Sequence, residues 1–279
     1  MSCLAREYRE KHEKLMKRFE QAARMWLKDK GHVEIAEKIP FFRDGVVNPE
    51  IWFKEGNDFR PLFILKEVSL GVNEVDKLDD YLKIWGTPKY FEFAQYDFDD
   101  IKIGTFSTWQ RIAKLAKGLE DIHQGKEECD YDTYDFRYQS GGIKYDGDIE
   151  GYKYHYPERT SNSTYIDIMD KIAVLEIKKV GAGQAVNSEL SKKTGYYTMH
   201  IEPFKDLICE QIELINPTVI ICCGREGGGY SNNILKEIKC ATSERLWIDG
   251  YHPVMSSHEK FYYNPLRIYK EYRESNGLI

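Results

Sequence analysis

Apolar positions along this chain repeat at two different periods, and the alternation between them predicts its architecture. Leu4, Tyr8, Leu15, Phe19, Ala22 and Trp26 recur at spacings of three, four and seven, so residues 1–30 read as an amphipathic N-terminal helix. Arg9, Lys14, Lys17, Arg18 and Lys28 fall on its opposite face. A helix docked on the domain with that face solvated is the favoured reading, and a DNA-contacting helix the alternative. Pro61-Leu62-Phe63-Ile64-Leu65 is the first apolar run of strand type and leads into Lys66-Glu67. Helical spacing returns from Thr105 to Leu119, with Ser107 or Thr108 as a cap.

Further on, a short helix is predicted near Tyr165 to Asp170 and a strand over Ile172 to Lys178. The next helix, Glu202 to Ile215, is stopped by Asn216-Pro217, and the strand Thr218 to Cys223 ends at Gly224. A helix around Asn232 to Lys239, a strand near Leu246 to Ile248 and a helix from Pro265 to about Ser275 complete the chain. Strands that alternate with helices predict an α/β fold: a three-layer α/β/α sandwich around a mainly parallel central sheet. Between Glu120 and Ser163 the pattern gives way to Gly, Asp and Tyr, with Gly141-Gly142 and Asp146-Gly147 as turn signals. That stretch, 120–163, reads as a surface insertion in one domain spanning 1–279, because so long a patternless segment makes a poor second domain.

Composition narrows the function classes. An apolar fraction of 42% over 279 residues is ample for one sizeable core. With no apolar run of transmembrane length and no signal-peptide core at the charged N-terminus, the expected address is the cytoplasm, away from membranes. None of the 6 cysteines forms a C-x-x-C pair, so zinc spacing is missing and reduced structural thiols are expected. The net charge of -6 argues against wholesale binding to a polyanion but leaves room for a local basic groove. Many of the 20 tyrosines crowd into the insertion, from Tyr131 to Tyr156. They suit either a stacking surface for bases or an acidic, ordered cover, and the interspersed acids favour the cover.

Ligands of an open parallel sheet bind beyond the carboxyl ends of its strands. Four features should meet there: Lys66-Glu67, Glu176, Gly224, and Tyr251-His252-Pro253. Glu176 stands out, because the run Ile172-Ala173-Val174-Leu175-Glu176-Ile177 puts a carboxylate where a buried strand expects an apolar residue. Gly224 to Gly229 matches no phosphate-loop spacing and reads as a turn.

The order of these pieces resembles the uracil-DNA glycosylase superfamily. The segments that carry the resemblance are PLFILKEVSLG (61–71), the helix with Thr108-Trp109, IAVLEIKKVGAG (172–183), INPTVIICCG (215–224) and YHP (251–253). The resemblance implies that Lys66-Glu67-Val68-Ser69 stands for the Gly-Glu-Ala-Pro form of the water-positioning motif, with Glu67 as its acid and Lys66 and Ser69 replacing Gly and Pro. It implies that His252 donates a hydrogen bond to the departing base. Tyr81, fourteen residues after Glu67, would stack on that base, with Trp85 one turn on.

Glu176 takes the place of the family's base-reading asparagine. An ionised glutamate only accepts hydrogen bonds, so it would repel O4 of uracil and accept from the N4 amino group of a cytosine-like base. Lys178 and Lys179, ahead of a flexible Gly181-Ala182-Gly183, are candidates for DNA phosphates, with solvated lysines as the alternative. Met255 is a candidate wedge for the vacated base stack, or else a core methionine. No cofactor and no metal are implied, and the cysteine spacing of the family's iron–sulfur branches is missing. The expected partner is DNA, single- or double-stranded. The activity implied is a monofunctional DNA glycosylase releasing a pyrimidine-type base by water attack. Two alternatives are a nucleic-acid-binding module that has lost turnover, and an N-glycosidase acting on free nucleosides or nucleotides.

Overall fold

The computed structural model describes residues 2–69, 74–78, 91–92, 107–127, 129–133, 148–149, 152–153, 167–182, 188–195, 204–223, 238–239, 242, 244–251, 253 and 257–278. Helix α1, Cys3–Asp29, starts at Ser2, whose hydroxyl accepts from Ala5 N at 3.1 Å. Leu4 at its start is 57% exposed, whereas Tyr8, Leu15 and Phe19 are buried as their spacing predicts. Helix α2 (Val33–Lys38), strands β1 (Phe42–Arg43) and β2 (Gly45–Val46), and helix α3 (Pro49–Trp52) follow. These four short elements were not legible as periodicity, because two to six residues are too few to display one.

Strand β3 runs over Pro61–Ser69, so it continues through Lys66 and Glu67 instead of ending before them. The short strands β4 (Phe91–Glu92), β5 (Asp148–Ile149) and β6 (Tyr152–Lys153) lie on either side of helix α4, Ser107–His123. Strand β7, Ala173–Ala182, is four residues longer than its apolar run suggests. Helix α5 (Glu189–Lys193), helix α6 (Lys205–Ile215), strand β8 (Val219–Cys222), strand β9 (Leu246–Asp249) and helix α7 (Asn264–Ser275) complete the named elements. Asn216 caps α6 in the left-handed conformation (φ 50°), and Pro217 prevents a further turn, as the dipeptide predicts.

The 5-stranded sheet has the order β2-β7-β3-β8-β9. Its last four strands are parallel, and β2 joins antiparallel at the edge. Alternate residues serve opposite faces. Leu62, Ile64, Ala173, Leu175 and Ile220 pack with α1, α2 and α6, while Phe63, Leu65, Val174, Val219 and Ile221 pack with α4 and α7. The fold is therefore α/β, with a mixed, mostly parallel sheet and helices on both faces.

The beginning of the expected insertion belongs to this core. Helix α4 runs on to His123 with Ile122 buried, and Tyr131 is buried against Tyr262. Glu120 and Asp121, which looked like surface acids, are 6% and 4% exposed and tied to Lys117, Lys126 and Lys171. Three lysines, two on each acid, replace the lost hydration, which is how such a cluster escapes the core pattern while remaining inside.

Candidate functional site

Following the four parallel strands in chain order, the sheet reads second, first, third, fourth. Its connections reverse direction between β3 and β8, and such a reversal opens a crevice at the carboxyl ends. On β3 the crevice begins at Leu65, which sits opposite Glu176, and at Glu67, which sits opposite Lys178. On β8 it begins at Cys222, opposite both Ile64 and Asp249. The N–H of Gly250 donates to Cys222 O at 2.9 Å, leading the chain past the same strand end. Helix α4 forms a wall: Arg111 donates to the carbonyl of Pro253, and Lys114 donates to Tyr131 O at 2.9 Å with its Nζ 3.9 Å from that ring's centroid. The imidazole of His258 stacks on Tyr131 at 3.7 Å.

Glu176 is 4% exposed and lies within β7, with six further strand residues after it. Val174 packs with the α4 side, so strand alternation carries Glu176 to that side as well. Its negative charge reaches Cys223, whose thiol is pushed well above its ordinary range, first by burial and then by Cys222 and Glu176. A thiol held protonated in this way is no nucleophile.

A second buried carboxylate, Asp44, escaped the sequence reading. It is 0% exposed and accepts from Lys179 Nζ at 2.8 and 2.7 Å, from Gln211 Nε2 at 2.6 Å and from the backbone N–H of Glu176. Lys179 Nζ also donates to Glu176 O at 2.9 Å. Burial draws the Lys179 ammonium below its ordinary value, against the opposing pull of Asp44 and Glu176. The signals for this cluster were faint: Arg43-Asp44-Gly45 between apolar pairs, and Gln211 between Ile208 and Ile212 on an apolar helix face. His12 lies beside Asp44, stacked on Tyr8 at 5.2 Å.

Burial lowers the pKa of His12 to about 4, with Asp44 opposing and Lys179 and Arg43 reinforcing the shift. The unfolded chain, with histidine near 6.5, therefore takes up the proton first as the pH falls. Stability contributed by neutral His12 is complete above pH 6.5 and is lost on acidification toward pH 4. The loss should be on the order of 3 kcal/mol. Denaturant titrations of wild type and His12→Gln across this window should differ in slope by close to one proton. Parallel curves would show that His12 is already charged in the fold.

The lysines proposed for phosphates are not on the surface. Lys178 is 8% exposed and donates to Thr194 Oγ1 at 2.7 Å, and Lys179 is held by Asp44 on the α1 side. Burial and these partners remove both from contact with DNA. Gly181, expected in a flexible loop, belongs to β7 and donates its N–H to Pro40 O at 3.2 Å. Lys66, Glu67 and Ser69 belong to the backbone of β3, where the register shifts so that three residues, Glu67 to Ser69, face five of β7, Lys178 to Ala182. Tyr81, Trp85, Gly183, His252 and Met255 lie outside the described residues.

No protein-family model, curated protein or solved structure matches this chain. Among the described residues, no group of three or more His, Cys, Asp or Glu side chains is arranged to hold a metal ion. No helix among them is long and apolar enough to cross a membrane.

Proposed function

We propose that this chain is a monofunctional DNA glycosylase of the uracil-DNA glycosylase type, acting on a flipped-out pyrimidine-type base with a 4-amino group, such as a modified cytosine. The observation that carries the reading is Glu176, a buried carboxylate on β7 paired with Leu65 of β3, two residues before Glu67. A carboxylate in that position is an acceptor without a proton to give, and it suits an exocyclic amino group.

In the proposed reaction the C1′–N bond of the nucleotide breaks and its electron pair leaves with the base. Positive charge develops on the sugar, where Glu67 opposes it, and negative charge develops on the base, where His252 donates a hydrogen bond. Water adds its oxygen to C1′ and passes a proton to Glu67. Reaching a base within a duplex requires flipping, which costs a few kcal/mol, least for a mismatched base. With Lys178 and Lys179 enclosed, cations toward this end among the described residues include Arg111 and Lys114 on α4 and the exposed Lys260.

That enclosure also favours a second reading, an N-glycosidase for free nucleosides or nucleotides, which needs no groove for a phosphate chain. One panel separates the two. Oligonucleotides carrying uracil, mismatched thymine or modified cytosines are incubated with the protein and abasic sites are cleaved by hot alkali, beside free nucleosides assayed for base release. The glycosylase reading expects strand breaks at modified cytosine, lowered by about 10²–10³-fold or more in Glu67→Gln and in His252→Ala. Base release from nucleosides alone would establish the second reading.

A further inference from the structure

We infer that the buried Asp44–Lys179 pair is a positioning clamp for Glu176, and that it sets the preference for a 4-amino over a 4-keto pyrimidine. The inference rests on the reading of Glu176 as the residue that meets the base. Both polar groups of the Glu176 backbone are held by this pair. The N–H donates to Asp44 Oδ2, and the carbonyl accepts from Lys179 Nζ at 2.9 Å. The holding side is the α1 face, where the Lys179 ammonium lies 4.9 Å from the Phe19 ring centroid. The carboxylate of Glu176 is carried toward the opposite face, with Val174 and Cys223. The clamp thus grips the peptide from the α1 side, while strand alternation turns the side chain to the α4 side.

An ordinary edge strand would have supplied these contacts. Gly45 pairs with Val174 and Val46 with Ala173, but the ladder is then interrupted and Asp44 offers its side chain where a backbone carbonyl would stand. Gln211 fixes Asp44 through Oδ1 at 2.6 Å and reaches its carbonyl at 3.4 Å. A buried ion pair is commonly no more stabilising than apolar residues of the same volume, so its presence calls for a reason besides stability. Orientation supplies one, since a recognition group must be held within roughly 0.5 Å and 10–20° of its working geometry. Asp44, Lys179 and Gln211 act through Glu176 and are positioning residues.

The test measures discrimination in binding, so it does not depend on turnover. Fluorescent single-stranded oligonucleotides carry one 2′-fluoroarabino nucleotide, which resists glycosidic hydrolysis, with either cytosine or uracil as its base. Anisotropy titrations give the ratio of the two Kd values for wild type, Glu176→Gln, Asp44→Asn/Lys179→Met and Gln211→Leu. Thermal melts report whether each variant is folded. Wild type should favour the cytosine probe by about tenfold or more, the discrimination one good hydrogen-bonded base contact supplies. Glu176→Gln should abolish that preference. Asn at position 44 can still accept from the Glu176 N–H, so the charge-neutral double variant keeps its fold while losing the carbonyl anchor, and its ratio should approach one.

Should the double variant fail to fold, Gln211→Leu loosens Asp44 without altering charge, and its ratio must fall in turn. A folded double variant or Gln211→Leu with the wild-type ratio overturns the clamp, as does a wild type that binds both probes alike. Discrimination that follows the clamp, without base release from any oligonucleotide of the panel, leaves the clamp standing and removes the glycosylase.

Discussion

Asp44→Asn is expected to destabilise the fold by about 3–5 kcal/mol, because it takes from the enclosed Lys179 the carboxylate it is bonded to. Lys179→Met should cost a similar amount by the reverse route, since the 0% exposed Asp44 then keeps its carboxylate with one donor side chain, Gln211, and the Glu176 N–H. Removing both charges together should cost less than the two singles added. The shortfall, read from denaturant unfolding followed by circular dichroism, should be about 1–3 kcal/mol. Strictly additive costs would show that the two side chains do not share one interaction, despite their 2.7 Å separation.

The second large effect is at the next residue. Gly45 has φ +141°, a conformation that L side chains rarely adopt. A Cβ there would lie 2.7 Å from His12 Nε2 and against the Tyr8 hydroxyl. Neither neighbour can retreat easily. Tyr8 accepts from Val46 N at 2.9 Å, and both rings are buried under α1. Gly45→Ala should therefore cost about 2–4 kcal/mol, combining backbone strain with overpacking. His12→Ala in the same background opens space without relieving φ, so it should return only the steric part. If the double variant's cost equals the sum of the singles, the overlap with His12 contributes nothing.

The layers of this protein were legible because they are repetitive. Leu62 to Leu65 and Val219 to Cys222 are apolar at every position, which central parallel strands require, and Asn216-Pro217 marks a helix end at the right residue. What the sequence concealed is the edge. Two-residue strands at Phe42–Arg43 and Gly45–Val46 are too brief to show a period, and they pair with distant residues, Phe91–Glu92 and Ala173–Val174. Lys178 and Lys179 illustrate a different failure. Local charge suggested solvent, but Thr194 and Asp44 supply partners that no local window contains. Glu176 was legible as an anomaly, while the pair that grips its peptide was not.

Sheets are vulnerable where a long inner strand meets water, because an open row of N–H and C=O groups recruits strands from other molecules. Here the outer side of β7 is covered by a patchwork: Gly45 and Val46, the bridge from Phe41 to Val180, and Pro40 accepting from Gly181. Between these patches, Asp44 covers the Glu176 amide with a side chain. A charged cap of this kind blocks strand addition as well as filling a gap, since an approaching chain would have to displace a buried ion pair to reach the amide. Asp44 thereby guards the sheet against association with its own copies, and changes at this one position should be read for self-assembly as well as for unfolding.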